Sequence, residues 1–226
     1  IAFAFHSFSW TYLQQTAPVI SFIGSIPRPE YEQIQKIWQS TNDPIVLHGD
    51  AGSGKSSIAL CLAKDLTNNG IPVLFIKSTD YPICSDPIDI IQRRMPLSTP
   101  LLDSIARLGK EKACAIIIDQ IDSVAGTDLC KNLISFVKSM VNLPNVKILV
   151  ISRTYESQND PDISSLNFQK IESGNLNPEQ AALYLARIGF TSTTNKLIEM
   201  SSNLLNLSIL AEVARTNNNR TFNFEN

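Results

Sequence analysis

Short apolar runs recur along the chain, and segments with helical spacing of apolar residues separate them. A run in which apolar residues do not alternate with polar ones is typical of a strand buried on both faces. Strands of this kind that alternate with helices predict an α/β fold, a parallel sheet flanked by helices. The predicted strands are PIVLHG (44–49), IPVLFIKS (71–78), ACAIIID (113–119), VKILVIS (146–152) and the weaker FQKIES (168–173).

Helices are predicted around these strands. PEYEQIQKIWQS (29–40) places Ile34, Ile37 and Trp38 at helical spacing, and the Asn-Asp-Pro cluster at 42–44 ends this helix. The others are 55–70, which Asn-Asn-Gly closes, 86–112 with breaks at Pro96 and Pro100, and 127–143 with Thr127 as the N-cap.

From residue 177 onward, helical segments follow one another without strands. NPEQAALYLARIG begins with Asn177 as a candidate N-cap and Pro178 as the first helical residue. TSTTNKLIEMSS and NLLNLSILAEVART are two further helices. We therefore predict an α/β domain over 22–175 and a small all-helical subdomain over 176–216. A linker or the edge of a preceding domain over 1–21 and a polar linker over 217–226 complete the division.

The first 27 residues carry no charged side chain, which raises the question of a membrane segment. A spanning helix needs about 20 consecutive apolar residues, and no basic segment precedes this one as in a signal peptide. We expect no membrane association. Because the chain begins at Ile1 and has no methionine before Met95, we expect it to be part of a longer protein. The polar residues that interrupt the apolar run are His6, Ser7, Ser9, Gln14 and Gln15.

Charge and cysteine content bear on the partners, the metal sites and the location of the protein. The chain has 19 Lys and Arg against 21 Asp and Glu, with a pI near 5.7, so no basic groove is expected and nucleic acid is an improbable partner. The cysteines form no C-x-x-C pair and have no histidine nearby, which argues against a zinc site or a disulfide framework. We expect reduced core thiols and a cytoplasmic location. The cysteines are Cys61, Cys84, Cys114 and Cys130.

The stretch HGDAGSGKSS (48–57) satisfies the pattern G-x-x-x-x-G-K-[ST] between a predicted strand and a predicted helix. Glycines let the backbone curl so that its N–H groups point at a phosphate, and the positive end of the helix dipole adds to the attraction. Lys55 is predicted to reach the terminal phosphates and Ser56 to bind Mg²⁺. An accidental glycine-rich turn is the disfavoured alternative. The predicted nucleotide-binding residues are Gly49, Asp50, Ala51, Gly52, Ser53, Gly54, Lys55, Ser56 and Ser57.

A carboxylate at the end of a neighbouring strand is needed to hold the magnesium shell, and AIIIDQID provides Asp119 after four apolar residues. Many hydrolysing ATPases place a glutamate directly after this aspartate, whereas here that position is Gln120. An amide cannot accept a proton from water. Asp122 is predicted to act on the attacking water instead, so we expect slow ATP hydrolysis.

Arg153 follows the third apolar strand, in VKILVISRT. A side chain at this position could reach the γ-phosphate and report its presence. An exposed arginine at a strand end is an equally good interpretation from spacing alone.

These motifs together resemble the STAND class of P-loop NTPases, and most closely its NACHT-like branch. GDAGSGKS is similar to the Walker A loop, IIIDQID to the apolar run with two acids three apart, and LVISRT to the strand that ends in Ser-Arg. IPRPE (26–30) resembles the short segment that borders the adenine in this class, which makes Arg28 a nucleotide-binding candidate.

The resemblance implies a nucleotide-controlled switch within a larger signalling protein of immune or antiviral defence. ADP would hold the resting form, and exchange for ATP would drive self-association that activates an attached effector. The trigger, which could be a pathogen protein, would act through a sensor domain outside this segment. Adenine specificity rests on the resemblance.

Two positions depart from the family pattern. Ser123 stands where a third acidic residue often follows the second acid. The helical subdomain usually carries a proline that approaches the nucleotide, and Leu205 or Asn206 occupies the expected place.

Four other function classes compete with the switch. A GTPase is disfavoured because Asn195-Lys196-Leu197-Ile198 lacks the aspartate of a guanine-binding Asn-Lys-x-Asp stretch. A small-molecule kinase needs arginine-rich lids. Arg93-Arg94 is the one such pair in the sequence, and a solvated helix face explains it equally well. An AAA+ remodelling ATPase shares the fold but is expected to have glutamate at position 120. A module that nucleotide merely locks, without hydrolysis, is the fourth.

Overall fold

The computed structural model describes residues 1–2, 4–5, 8–9, 26–190 and 193–216, which form two compact units. The first unit contains the described residues of 1–9 together with 29–49 and 55–172. The second contains 26–28, 50–54 and the described residues of 173–216. Residues 10–21 of the predicted first linker and the whole of the predicted linker over 217–226 lie outside the described residues. The predicted boundary between residues 175 and 176 stays a prediction.

A five-stranded parallel sheet forms the centre of the first unit, as the apolar runs predict. The strand order is β2-β3-β4-β1-β5, and every pairing of neighbouring strands is parallel. The α/β fold is thereby confirmed, and each predicted strand is present. The strands are β1 (Ile45–Gly49), β2 (Val73–Lys77), β3 (Cys114–Asp119), β4 (Val146–Arg153) and β5 (Gln169–Glu172).

Helices cover both faces of this sheet. Thr127 caps α5 as predicted, since its Oγ1 accepts a hydrogen bond of 3.3 Å from the Cys130 N–H. The predicted break at Pro96 and Pro100 separates α3 from α4. Between residues 29 and 164 the helices of this unit are α1 (Pro29–Ser40), α2 (Lys55–Asn68), α3 (Pro87–Arg94), α4 (Leu101–Glu111), α5 (Asp128–Met140), α6 (Thr154–Asn159) and α7 (Pro161–Ser164), with 3₁₀ turns at Ser78–Asp80 and Ile121–Val124.

Successive strand residues point to opposite faces of the sheet, which divides the core of the first unit in two. On one face Ile116 and Ile118 of β3 pack with residues of α3, α4 and α5. On the other face Ala115 and Ile117 pack with residues of α1 and α2. Both faces of the central strands are therefore dry, which explains why apolar residues fill adjacent positions of those strands rather than alternate ones.

The described residues of the second unit form three helices, as the sequence predicts: α8 (Pro178–Arg187), α9 (Asn195–Ser201) and α10 (Leu204–Thr216). Asn177 and Gln180 form a capping box at the start of α8, in which each side chain accepts from the other residue's N–H. The helices share a small apolar core that includes Leu185, Leu207 and Ala211.

The described residues near the start of the chain belong to the core of the first unit. Phe5 is fully buried among residues of the α3–α5 face. Ser9 Oγ donates to the Val73 carbonyl oxygen (2.7 Å) and accepts from the Phe75 N–H (3.0 Å), so it satisfies backbone groups on the outer edge of β2. In the part of the chain that the structure describes, no helix has the length and apolar character needed to cross a membrane.

The cysteines do not all lie in the core. Cys114 on β3 and Cys130 on α5 are buried, as expected, but Cys61 and Cys84 are exposed. The expectation of four core thiols is therefore wrong for two of them. Cys61 occupies an exposed position of α2, between the buried positions Leu60 and Leu62, and Cys84 lies in the loop that precedes α3.

Candidate functional site

The carboxyl ends of three adjacent strands bring the predicted acid and arginine to one edge of the sheet. β3 lies beside β4 and β4 beside β1, with Arg153 in register with Gly49 and Ile118 in register with Val150. Asp119 is the last residue of β3 and Arg153 the last of β4. Ligands of parallel α/β sheets bind at this edge, outside the carboxyl ends of the strands.

Lys55 begins α2, so the positive end of this helix dipole coincides with the lysine of the glycine-rich motif. The Lys55 side chain is 9% exposed, and its Nζ donates to the Gly49 carbonyl oxygen over 2.7 Å. Ser56 and Ser57 follow in the first turn of α2 and are partly buried. The motif lysine and the end of β1 are thus held together within the first unit.

Ser56 and Asp119 meet directly, although 63 residues separate them in sequence. Ser56 Oγ donates to Asp119 Oδ1 over 3.0 Å, and Asp119 is 1% exposed. A hydroxyl and a carboxylate are hard oxygen ligands, the type that Mg²⁺ prefers alongside phosphate oxygens and water. The donor set of these two residues therefore fits Mg²⁺.

Burial raises the pKa of Asp119 from its ordinary 3.8 to about 6, against the lowering effects of the Ser56 hydrogen bond and of Lys77. The folded state therefore binds a proton more readily than the unfolded state. The contribution of the Asp119 carboxyl group to the free energy of unfolding is therefore complete below pH 4, and it is lost as the pH rises through 6. With two pKa units at 1.4 kcal/mol each, the loss is about 3 kcal/mol.

Asp119→Asn is expected to remove this loss, because the amide stays neutral and can still accept from Ser56. Without Mg²⁺ and nucleotide, the free energy of unfolding of this variant should exceed that of the parent by about 3 kcal/mol at pH 7.5 and match it near pH 4. Urea unfolding in EDTA across this pH range measures the difference. Asp128→Asn, at an exposed acid of α5, serves as control. A difference that does not change with pH contradicts the prediction.

Asp122 and Arg153 form an ion pair, with 3.1 Å between Asp122 Oδ2 and Arg153 Nε. The Asp122 side chain is 7% exposed and that of Arg153 is 54% exposed. Burial raises the pKa of Asp122, and the charge of Arg153 lowers it. The pair thus combines a carboxylate that is shielded from solvent with a guanidinium that remains accessible at the sheet edge.

Gln120 has a left-handed backbone conformation (φ 59°, ψ 38°), which is uncommon for a residue other than glycine. Its carbonyl oxygen accepts from Ser78 Oγ, and its side-chain Oε1 lies 3.4 Å from Thr79 Oγ1. The 3₁₀ turn after β2 therefore holds the residue that directly follows Asp119. Backbone strain of this kind is most common at functional sites.

The second unit contains the middle of the glycine-rich loop, residues 50–54. Asn203 Nδ2 donates to the Ala51 carbonyl oxygen over 2.9 Å, and the Leu205 N–H donates to the Gly52 carbonyl oxygen over 3.3 Å. The beginning of α10 thus binds two successive carbonyl groups of the loop.

The third loop carbonyl, that of Ser53, accepts two hydrogen bonds. Arg28 Nη1 donates to it over 2.9 Å, and Ser173 Oγ over 3.2 Å. Arg28 Nη2 also lies 3.1 Å from Ser173 Oγ and 2.8 Å from the Gly174 carbonyl oxygen. The guanidinium predicted to border the adenine therefore binds the loop backbone in this structure, and its contact with a base stays a prediction.

Glycine is favoured at positions 52 and 54 on two grounds. Both have positive φ (81° and 89°), a conformation that side chains disfavour. A Cβ on Gly52 would also lie 2.3 Å from Asn203 Oδ1, and one on Gly54 would lie 2.5 Å from Leu204 Cδ1. The close approach of residues 203–204 therefore adds a packing reason for these glycines to the phosphate-binding reason inferred from the motif.

Asn203, Leu204 and Ser173 were not among the predicted site residues. Leu205 or Asn206 occupies the place where the sequence predicts a contact from the helical segment. The Leu205 N–H donates to the loop, whereas Asn206 Nδ2 donates to the Met200 carbonyl oxygen. The one available signal was the position of Asn203 directly before α10, where asparagine commonly caps a helix.

A parallel sheet with the motif G-x-x-x-x-G-K-S between β1 and α2 defines a P-loop NTPase. The sequence profile of AAA, the ATPase family associated with various cellular activities, matches residues 45–173, more than half of the chain. The chain belongs to this family. Nucleotide hydrolysis is the general activity of the family, and the AAA+ alternative is supported at least as well as the STAND resemblance. No curated protein sequence matches significantly.

Several solved AAA+ structures share the fold. DnaA from Aquifex aeolicus bound to AMPPCP superposes with a TM-score of 0.59 at 12% identity, over 82% of this chain and 60% of that one. Domain III of Thermotoga maritima DnaA gives 0.59 at 14% identity, over 89% and 91%. Aeropyrum pernix ORC1 in complex with DNA gives 0.58 at 12%, over 89% and 64%. The chain thus spans less than two thirds of the Aquifex DnaA and ORC1 chains. The NACHT-like subtype has no support among these structures.

Proposed function

We propose that this AAA-family domain binds ATP and ADP with Mg²⁺ and acts as a slowly hydrolysing nucleotide switch in a larger protein. The observation that carries the proposal is the 3.0 Å hydrogen bond between Ser56 and Asp119. It joins the residue after the motif lysine to the acid that ends β3, which is the pairing an Mg²⁺–triphosphate site requires.

In this proposal each predicted residue has a distinct role. The N–H groups of residues 49–54, with Ser56 and Ser57 at the start of α2, bind the phosphates, and Lys55 binds their terminal oxygens. Ser56 and Asp119 hold Mg²⁺, which supplies charge neutralisation between the β- and γ-phosphates when bound. Arg28, which bonds the Ser53 carbonyl oxygen, would border the base, as the resemblance implies.

The ion pair of Asp122 with Arg153 gives a route from ATP binding to hydrolysis. The exposed guanidinium of Arg153 would exchange the Asp122 carboxylate for the γ-phosphate, a stronger anion. Asp122 would then be available to accept a proton from the attacking water. Because its pKa is raised by burial, it is a better base than an exposed aspartate. It lies three residues after Asp119 rather than next to it, which favours slow turnover.

A role as a defence switch of the STAND type is the finer form of the proposal. It is supported by the acid spacing of IIIDQID and by Ser152-Arg153 at the end of β4. In that form ATP drives self-association, and a trigger acts through a sensor domain outside this segment. The AAA+ remodelling ATPase is the second candidate, and the family match favours it.

DNA is bound in the solved structure of ORC1. For this segment, the one observation against a nucleic-acid partner is the near-balance of charges.

Turnover of ATP separates the candidates, and Gln120→Glu is the informative variant. We expect the parent to turn over well below about 1 s⁻¹, the lower end for typical enzymes. Glutamate at position 120 supplies a carboxylate directly after Asp119, so turnover should rise by about a hundredfold, the usual contribution of a general base. Phosphate release at saturating Mg²⁺–ATP measures both proteins. Gln33→Glu, with the same charge change at an exposed position of α1, is the control.

The possible results distinguish the function classes. Fast turnover of the parent would show the remodelling ATPase and refute the slow switch. Tight nucleotide binding without hydrolysis in either protein would support the nucleotide-locked module instead. Failure to bind Mg²⁺–ATP at all would refute every form of the proposal.

A further inference from the structure

Asn203 uses both ends of its side-chain amide. The Oδ1 atom accepts from the Leu205 N–H over 3.1 Å, which satisfies a backbone donor in the first turn of α10. The Nδ2 atom donates to the Ala51 carbonyl oxygen over 2.9 Å. One residue therefore joins the start of a helix to the back of the glycine-rich loop.

Three consecutive loop carbonyls, those of Ala51, Gly52 and Ser53, accept hydrogen bonds from residues outside the glycine-rich motif. In a trans peptide the carbonyl and the following N–H point in opposite directions. The N–H groups of Gly52, Ser53 and Gly54 are therefore directed away from the groups that hold the carbonyls, although the Ser53 N–H also lies 3.2 Å from the Asp50 carbonyl oxygen. Successive N–H groups turned to one side form an anion-binding concavity.

We propose that Asn203 is a positioning residue that, together with Arg28 and Ser173, fixes the phosphate-binding shape of the loop by holding its carbonyl oxygens. The proposal rests on the proposed function, because it assumes that the loop binds phosphate. In this proposal the beginning of α10 and Ser173 contribute to nucleotide affinity indirectly. They hold the carbonyl side of the loop, and the N–H side binds the phosphates.

A loop held in this way already has its binding conformation, so phosphate binding does not have to order the loop. Without the Asn203 hydrogen bond, the peptide between Ala51 and Gly52 can rotate, and glycine at position 52 makes that rotation easy. Affinity should then fall equally for all ligands that use the loop, since the lost order is common to them.

Asn203→Ser tests this role. Serine is neutral and also caps helices well, so α10 keeps its cap, but its side chain is too short to reach Ala51. We expect the dissociation constants of Mg²⁺–ATP, ADP and pyrophosphate all to rise about tenfold, the equivalent of one hydrogen bond. The KM for ATP should rise by the same factor, with kcat within twofold. Asn206→Ser is the matched control, because Asn206 bonds Met200 within the helical segment.

A purely structural role would give a different result, namely fewer active molecules and so a lower kcat at an unchanged KM. If Asn203→Ser lowers the melting temperature, Ser173→Ala, which removes one of the two hydrogen bonds to the Ser53 carbonyl, is measured in its place. A parent that binds no Mg²⁺–ATP refutes the proposed function. A parent that binds, with Asn203→Ser and Ser173→Ala equal to it, refutes the positioning role alone.

Discussion

Replacing Lys55 with methionine is expected to weaken ATP and ADP binding by about a hundredfold, the largest loss of affinity for any single residue of the motif. The ammonium group would make charge-assisted hydrogen bonds to phosphate oxygens, and their loss costs about 3 kcal/mol. Methionine has a similar length, so it fills the space of a side chain that is 9% exposed and should not unfold the protein.

Calorimetric titration of the parent and the variant with ADP and with ATP measures this loss. Lys64→Met is the control, because Lys64 lies on the same helix, α2, outside the motif. We expect the control to bind like the parent within a factor of two. If Lys55→Met kept the affinity of the parent, the phosphates would not be bound at this loop and the assignment of every other site residue would fall with it.

The sheet could be predicted because its central strands are buried on both sides. All six residues of β3 are buried, and those before Asp119 form an unbroken apolar run that no amphipathic helix has. α6 and α7 could not be found in this way, because they are short and mostly polar. A local signal was nevertheless present, since Asp160 caps α7 and Pro161 is its first helical residue.

Some residues of the candidate site could likewise be predicted from the sequence, and others could not. Lys55, Ser56 and Asp119 could be named from spacing within short segments, and the structure places Ser56 against Asp119. The contact of Asn203 with Ala51 spans 152 residues, and that of Ser173 with Ser53 spans 120. No periodicity connects such positions, so a single sequence does not reveal them.

The class of ATPase is harder to predict than the fold because it depends on a few side chains. Gln120 is an example: it directly follows Asp119, where many hydrolysing ATPases have glutamate, and its amide cannot act as a base. The family profile matches residues 45–173, which include Gln120, so membership of the family does not decide whether a base is present. Turnover measurements therefore carry more information on function than further comparison of folds.

Asp119→Asn is expected to abolish the tightening of ATP binding by Mg²⁺ and to reduce turnover by about a hundredfold. A neutral amide cannot replace the carboxylate in the metal shell, and loss of one well-placed electrostatic group commonly costs this much. ATP affinity in EDTA should stay within twofold of the parent, because the loop and Lys55 are unchanged.

The comparison needs four titrations, parent and variant each with and without Mg²⁺, at a pH of about 7.5, where Asp119 with a pKa of about 6 is ionised. Asp128→Asn again controls for the removal of one negative charge. The variant is also expected to be the more stable protein in EDTA, so lost metal binding could not be ascribed to unfolding. A parent whose ATP affinity is the same with and without Mg²⁺ would contradict the metal role of Asp119. An Asp119→Asn variant that is both less stable and inactive would instead indicate a structural role for this buried carboxylate.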